Sequence, residues 1–241
     1  MNVVLLRVGI DTGSGGIHGP LFEDGTFEYI PIPDRFEGRG VDSRTYENVK
    51  GRMGRPLIEY FPERRRLKMA ETRLHLDPEF VSFTYGDPTS SSKRGLRNLQ
   101  RGDFLVFYAG LQGFDHTSEP ALYIIGYFEI QTAGLATDYT NAERHEYFAE
   151  NFHVRHERVF RRQEKELVLV KGSSNSRLLE KAVQISEWSH DRSGRRLKVL
   201  SKDVQEYFGN FGGKISIQRC PPRWVSGKQG EKAAVFVRGL E

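Results

Sequence analysis

An α+β fold, with a central, mostly antiparallel and barrel-like sheet and helices at its periphery, is what the 241-residue sequence predicts. Three observations carry that reading. Residues 104–109 and 121–130 are aromatic and β-branched runs joined by a short polar segment, the pattern of two strands paired as a hairpin. Helical spacing of apolar residues appears mainly later in the chain. Neither an internal repeat nor a low-complexity linker interrupts the sequence, and apolar segments reach both ends, so residues 1–241 are expected to form one integrated unit.

At the start, the apolar run 3–8 suits a buried strand. It delivers a glycine-rich loop, Gly9-Ile10-Asp11-Thr12-Gly13-Ser14-Gly15-Gly16-Ile17-His18-Gly19-Pro20, within an N-terminal motif that closes at Asp34. Such a loop lets backbone amides approach an anion or a planar ligand, and it serves equally as a plain turn. Its glycine order matches neither the dinucleotide nor the phosphate-loop fingerprint, and no helical pattern follows. Residues 35–73 are rich in Arg, Glu and Gly and read as an extended excursion. Pro78 and Pro88 disfavour helix just before them and mark 75–78 and 83–88 as loop anchors. Residues 90–98 suit a short helix with Leu96 and Leu99 inward, followed by a turn at 99–103 that opens the central hairpin at 102–130.

Thr140 and Glu143 have capping-box spacing, and His145, Phe148, Ala149 and Phe152 share a face, so one amphipathic helix is expected there. Residues 167–170 read as a strand. The segment 172–177 then enters a short helix through Leu178, Leu179 and Ala182, and Ser201 starts another that Gly209 stops. Residues 215–217 and 233–237 are expected to be strands.

No apolar stretch approaches the roughly 20 residues that cross a bilayer, and the first residues lack a basic start with an apolar signal core. A cytoplasmic protein with no membrane partner is expected. The single cysteine, Cys220, excludes an internal disulfide framework and reads as an ordinary thiol. Net charge is only +4, yet basic residues cluster: Arg64, Arg65, Arg66 and Lys68; Arg155, Arg158, Arg161 and Arg162; Arg192, Arg195, Arg196 and Lys198. Tyr60, Phe61, Phe152, Phe160 and Trp188 lie near them. Cations neutralise phosphates and aromatic faces stack on bases, so this interleaving suits nucleic acid, while solvated faces are the plain alternative.

The order of motifs resembles the third nucleotide-modification-associated domain family. The resemblance rests on Leu6-Arg7-Val8-Gly9-Ile10-Asp11 to Gly15-Gly16, the Gly25 turn, Pro31-Ile32-Pro33, Tyr46, His75-Leu76-Asp77-Pro78 and Gly102-Asp103-Phe104-Leu105-Val106-Phe107. It covers the chain well through Ile130 and loosely beyond, through Val170-Lys171-Gly172 to Leu178-Leu179. Two departures are Val8, which intervenes after Arg7 where the family has a basic residue and then glycine, and Ala109-Gly110-Leu111, where the family has a tryptophan-bearing motif. Membership implies a prokaryotic or viral protein linked to nucleotide or nucleic-acid modification. Gly102-Asp103 and Ile125-Gly126 also resemble the hairpin of PUA-like barrels that accommodate modified bases.

Within that context the expected function is recognition or processing of a nucleotide or modified nucleobase; the alternative is a non-catalytic reader of modified DNA or RNA. Asp11, His75 and Asp77 are the catalytic candidates, because a carboxylate can act as a base or orient an imidazole that moves protons. Arg7 and Lys93 suit phosphate, Gly15 and Gly16 backbone approach, Tyr85 and Trp188 stacking, and Ser173 and Ser174 a base edge. Each also has an ordinary structural explanation: a turn cap for Asp11 and Asp77, a hydrogen-bonded histidine for His75, a helix cap for the serines. His75 and Asp77 at alternate positions, joined by Asp11 and by His116 or His145, form too loose a set to name a metal, and no motif names a cofactor.

Overall fold

A computed structural model describes residues 1–34, 43–88, 92–218 and 221–241. Cys220, the stretch 35–42 of the excursion and the first two residues of the helix expected at 90–98 lie outside the described residues. In chain order the strands are β1 (Val3–Arg7), β2 (Gly19–Leu21), β3 (Ile32–Pro33), β4 (Leu74–His75), β5 (Thr84–Asp87), β6 (Phe104–Gly113), β7 (Ala121–Leu135), β8 (Val168–Gly172), β9 (Arg177–Gln184), β10 (Ser186–His190), β11 (Arg196–Leu200) and β12 (Arg223–Val225). The α-helices are α1 (Glu63–Met69), α2 (Asn141–Phe148), α3 (Phe152–Arg155), α4 (Glu157–Gln163), α5 (Lys202–Phe208) and α6 (Gly227–Arg238).

Eight strands form the main sheet in the order β12-β1-β6-β7-β8-β5, with β2 added to β6 and β9 to β7. The pairings of β6 with β1 and β2 are parallel and the rest antiparallel, so the sheet is mostly antiparallel as expected. The expected hairpin is there, pairing Phe104 with Glu129 through Leu111 with Ala121. The sheet does not close into a barrel. The reason lies in β7, which pairs with β9 over Tyr123 to Tyr127 and with β8 over Ile130 to Leu135, with a bulge inside each pairing. One long strand thus forks the sheet instead of curling it, as bulges do when they redirect a strand.

Residues 104–111 of β6 are buried without alternation, because both faces of this central strand are covered. Around it, one apolar cluster runs from Val3 and Leu5 through Phe107, Phe128 and Val170 to Ala233 and Val237. A second cluster joins Ile10, Ile17 and Ile30 to Tyr46, Leu57, Tyr60, Phe61 and Leu74. The excursion therefore packs its own small core beneath the glycine loop, and contains a 3-10 turn (Leu57–Tyr60) and α1. Leu96 and Leu99 point inward as expected, at 0% and 2% exposure.

Five local expectations are corrected. Residues 84–87, read as part of a loop anchor, are strand, because they pair with β8. Residues 177–184 are strand, because pairing with β7 overrides the helical spacing of Leu178, Leu179 and Ala182. Residues 233–237 are helix, the end of α6, whose buried Gly230, Ala233, Ala234 and Val237 follow a helical period. Residues 215–217 make only an isolated bridge, Val199 to Ser216. The helix expected over 140–152 is divided: the Thr140–Glu143 capping box starts α2 as read, but Asn151 caps a new helix with Phe152 at its first position.

Close contact of β7 with β9 depends on Gly126. A Cβ there would meet the Arg177 carbonyl oxygen at 2.6 Å and the Leu178 Cα at 3.2 Å, both backbone. Gly126→Ala is expected to cost about 2 kcal/mol, measured by denaturant unfolding. An unchanged midpoint would show that the two strands do not approach so closely.

Candidate functional site

β1 ends on Arg7 and passes its chain directly into the glycine loop, where Asp11 organises the turn. Asp11 Oδ1 accepts the Gly13 and Ser14 amides, each at 2.8 Å, and its carbonyl accepts those of Gly15 and Gly16 at 2.9 Å. Its Oδ2 lies 3.3 Å from Arg7 Nη2. Burial pushes the Asp11 carboxyl up, but the Ser14 amide and hydroxyl, Arg7 and the Gly13 amide outweigh it and hold the group below the ordinary carboxylate range. Asp11 thus caps the loop and orients Arg7, whose Nη1 donates to the Gln218 carbonyl.

Opposite this loop, β4 and β5 supply a second wall. His75 ends β4, and its ring stacks on Phe152 with centroids 4.2 Å apart. Asp77 is buried, and both its oxygens accept the Gly86 amide, at 3.0 and 3.1 Å. Gly86 also lets α3 approach: a Cβ there would meet His153 Cδ2 at 2.8 Å and Asn151 Oδ1 at 2.9 Å. The consequence is that His153, 1% exposed, places Nε2 3.4 Å from Asp77 Oδ2, while His75 Nε2 lies 3.9 Å from the same oxygen. Asn151 both caps α3 and brings its Nδ2 to 3.5 Å from Asp77 Oδ1.

Further along, the Tyr85 hydroxyl donates to Asp87 Oδ2 at 2.8 Å, and Lys93 Nζ reaches the same oxygen at 2.5 Å and the Tyr85 hydroxyl at 3.1 Å. Burial, with Asp87 and Asp77 nearby, raises the Tyr85 hydroxyl well above its ordinary range, so this phenol stays protonated and donates. An ammonium carries three donors, of which Tyr85 and Asp87 engage two.

Arg7, Asp11, His75, Asp77, Tyr85, Asp87, Lys93 and His153 line one cavity of about 350 Å³. That size is in the range of small-molecule sites. The three catalytic candidates, together with Arg7, Tyr85 and Lys93, are therefore brought together from distant segments. Other expected binding residues do not line it. The Ile10 side chain lies where a side chain on Gly15 would go, and the Arg65 guanidinium covers Gly16. The Ser173 hydroxyl accepts the Asn175 amide in the β8–β9 turn, with Ser174 beside it, and Trp188 on β10 stacks with Arg196 at 4.0 Å and Lys198 at 5.0 Å. Tyr108, on β6, is core: it is fully buried and donates to the Ile217 carbonyl.

His153, Asp87 and Asn151 were missed by sequence reasoning. The one signal for His153 was Asn151, whose preference for helix N-caps marks a restart that turns the following residues inward. Many cations of the basic clusters are committed locally: Arg155 to Glu150, Arg161 to Glu157, Arg195 to Asp191, and Arg196 bidentate to Glu119. Exposed pairs of this kind contribute little to stability and offset the local positive field.

The model of nucleotide modification associated domain 3 (Nmad3) matches residues 2–238. The chain belongs to the Nmad3 family. The match extends well past the motifs before Ile130 and takes in every element that lines the cavity, so the Nmad3 domain contains the whole candidate site. No curated protein and no solved structure matches the chain. Membership links this Nmad3 protein to nucleotide modification. Among the described residues no helix is long and apolar enough to cross a membrane.

Proposed function

We propose that the cavity binds a nucleotide, free or within a nucleic acid, and that the chain chemically alters it there. What supports this reading is one observation: a buried carboxylate, two imidazoles and two cations converge on a single cavity in an Nmad3 domain. Arg7 and Lys93 hold the phosphate at one side, as charge-assisted donors do. His75, Asp77 and His153 face the reacting part, where imidazole and carboxylate groups either move protons or hold an ion that polarises the ligand. Buried polar groups of this density are costly to a fold and are usual where binding or chemistry is done.

Processing is favoured over a non-catalytic reader by the state of the aromatic groups. Tyr85 is 3% exposed and Trp188 does not line the cavity, so neither offers a base in the cavity an open ring face. The test is incubation of the protein with mononucleotides and with DNA and RNA oligonucleotides, followed by mass spectrometry of recovered nucleosides. A mass change that Asp77→Asn abolishes supports processing, whereas tight binding with no mass change overturns it in favour of a reader. Lys93→Met is expected to weaken nucleotide binding about tenfold by calorimetry, the loss of one hydrogen bond to a charged group. Equal affinity in the variant would remove Lys93 from the site.

A further inference from the structure

We propose that His75, Asp77 and His153 hold one divalent first-row transition-metal ion, of the zinc(II) or iron(II) type. The proposal stands on the geometry of these side chains and does not require the nucleotide reading.

One donor atom from each of the three residues lies within 4.8 Å of the others. Two donors each about 2.1 Å from a tetrahedral ion are about 3.4 Å apart. His153 Nε2 and Asp77 Oδ2 are 3.4 Å apart, and His75 Nε2 is 3.9 Å from the same oxygen, so the two spacings to the carboxylate match or nearly match that value, and the third, within 4.8 Å, closes by about 1.4 Å at most.

The contacts behind the donors hold them in orientation, as those behind metal ligands do. Gln163 Oε1 lies 2.7 Å from His153 Nδ1. A carboxamide oxygen only accepts, so Nδ1 donates to it and the ring turns its Nε2 toward the Asp77 carboxylate. A ligating histidine commonly shows this arrangement, its far nitrogen tied to an oxygen that sets tautomer and ring plane. Phe152 fixes the plane of His75 by stacking, and the Gly86 amide fixes the carboxylate.

Donor type decides the class of ion. Two imidazoles and one carboxylate suit borderline divalent ions, and this set with open positions is that of catalytic zinc and of non-haem iron(II). Magnesium and calcium prefer all-oxygen sets. Three protein donors leave positions open toward the cavity that Arg7 and Lys93 also line, where an anionic ligand oxygen or a water would complete the sphere.

The test is anaerobic titration of chelator-treated protein with cobalt(II), read by its visible d–d absorption. The expected result is saturation at one cobalt per chain, displacement by zinc(II) or iron(II), and affinity at least about 100-fold weaker in His75→Gln and Asp77→Asn. Gln163→Ala is expected to weaken binding about 10- to 100-fold while keeping all three donors. His153 is fully buried and its replacement risks misfolding, so the wild-type chain supplies a second readout: cobalt(II) should broaden the imidazole resonances of two histidines. Absence of stoichiometric absorption, no displacement by either ion, or bands unchanged in His75→Gln would each overturn the assignment.

Discussion

Phe107→Ala is expected to lower the free energy of unfolding by about 3–5 kcal/mol, the usual cost of emptying a fully buried aromatic site. Phe107 has 0% exposure at the centre of β6, paired with Leu6 of β1 on one side and Gly126 of β7 on the other. Its ring meets Phe128 at 4.6 Å and 74°, Phe80 at 5.5 Å and Tyr85 at 5.9 Å. Edge-on aromatic pairs of this kind add to the area they bury. Surrounding strands are held on both edges and cannot collapse into the space. The void would open under Tyr85, the residue that carries Asp87 and Lys93 at the cavity wall. Loss of core and loosening of the site should therefore appear together: a lower denaturant midpoint and weaker ligand binding in the same variant. Phe107→Leu keeps most of the volume and is expected to cost less than half as much. A cost under about 1 kcal/mol for Phe107→Ala would mean that the sheet relaxes around the void, against the rigid packing described.

What could be read in advance follows from how local each signal is. β1, the central hairpin and the Thr140 cap are set by short-range patterns, and the structure forms all three. The segment 177–184 failed because its strand character is conferred by β7, far away in sequence, and not by its own spacing. α6 failed for the opposite reason: Ala233 to Val237 is short and apolar, and periodicity over five residues does not separate strand from helix, whereas the wider window from Gly227 does. The candidate site was legible in its anchors, since Arg7, Asp11, His75, Asp77, Tyr85 and Lys93 stand in or beside loops that carry polar side chains in the sequence, although Asp11 and Asp77 also cap backbone amides. Its partner His153 was not. Nothing in the spacing of His75 and Asp77 points to a helix restart that reaches them only through the close contact at Gly86.

Stability should fall as pH drops from about 6.5 to about 4 through one residue, His18, by an amount on the order of 3 kcal/mol. His18 is 9% exposed on the strand side of the glycine loop, and its Nδ1 is buried with no hydrogen-bond partner. Burial, Lys198 and Arg7 together push the imidazole down to about 4, while Asp11 pulls it weakly upward. An unfolded chain takes up the proton near the ordinary value of 6.5 and the folded chain only near 4, so protons favour unfolding throughout that window. The contribution is fully present above the unfolded value and is lost as pH falls toward the folded one. Lys198 belongs to the same crowd of cations: burial and Arg7 bring its ammonium down to about 8, with Glu119 opposing. Arg7 and Lys198 repel one another there, and an anion bound near Arg7 would relieve that repulsion. Denaturant unfolding of wild type and His18→Gln at pH 7.5 and pH 4.5 checks the size of the term. The wild type is expected to lose on the order of 3 kcal/mol more than the variant between the two pH values. Equal losses would mean that His18 is solvated and titrates normally, and that the carboxylates alone set the acid limit.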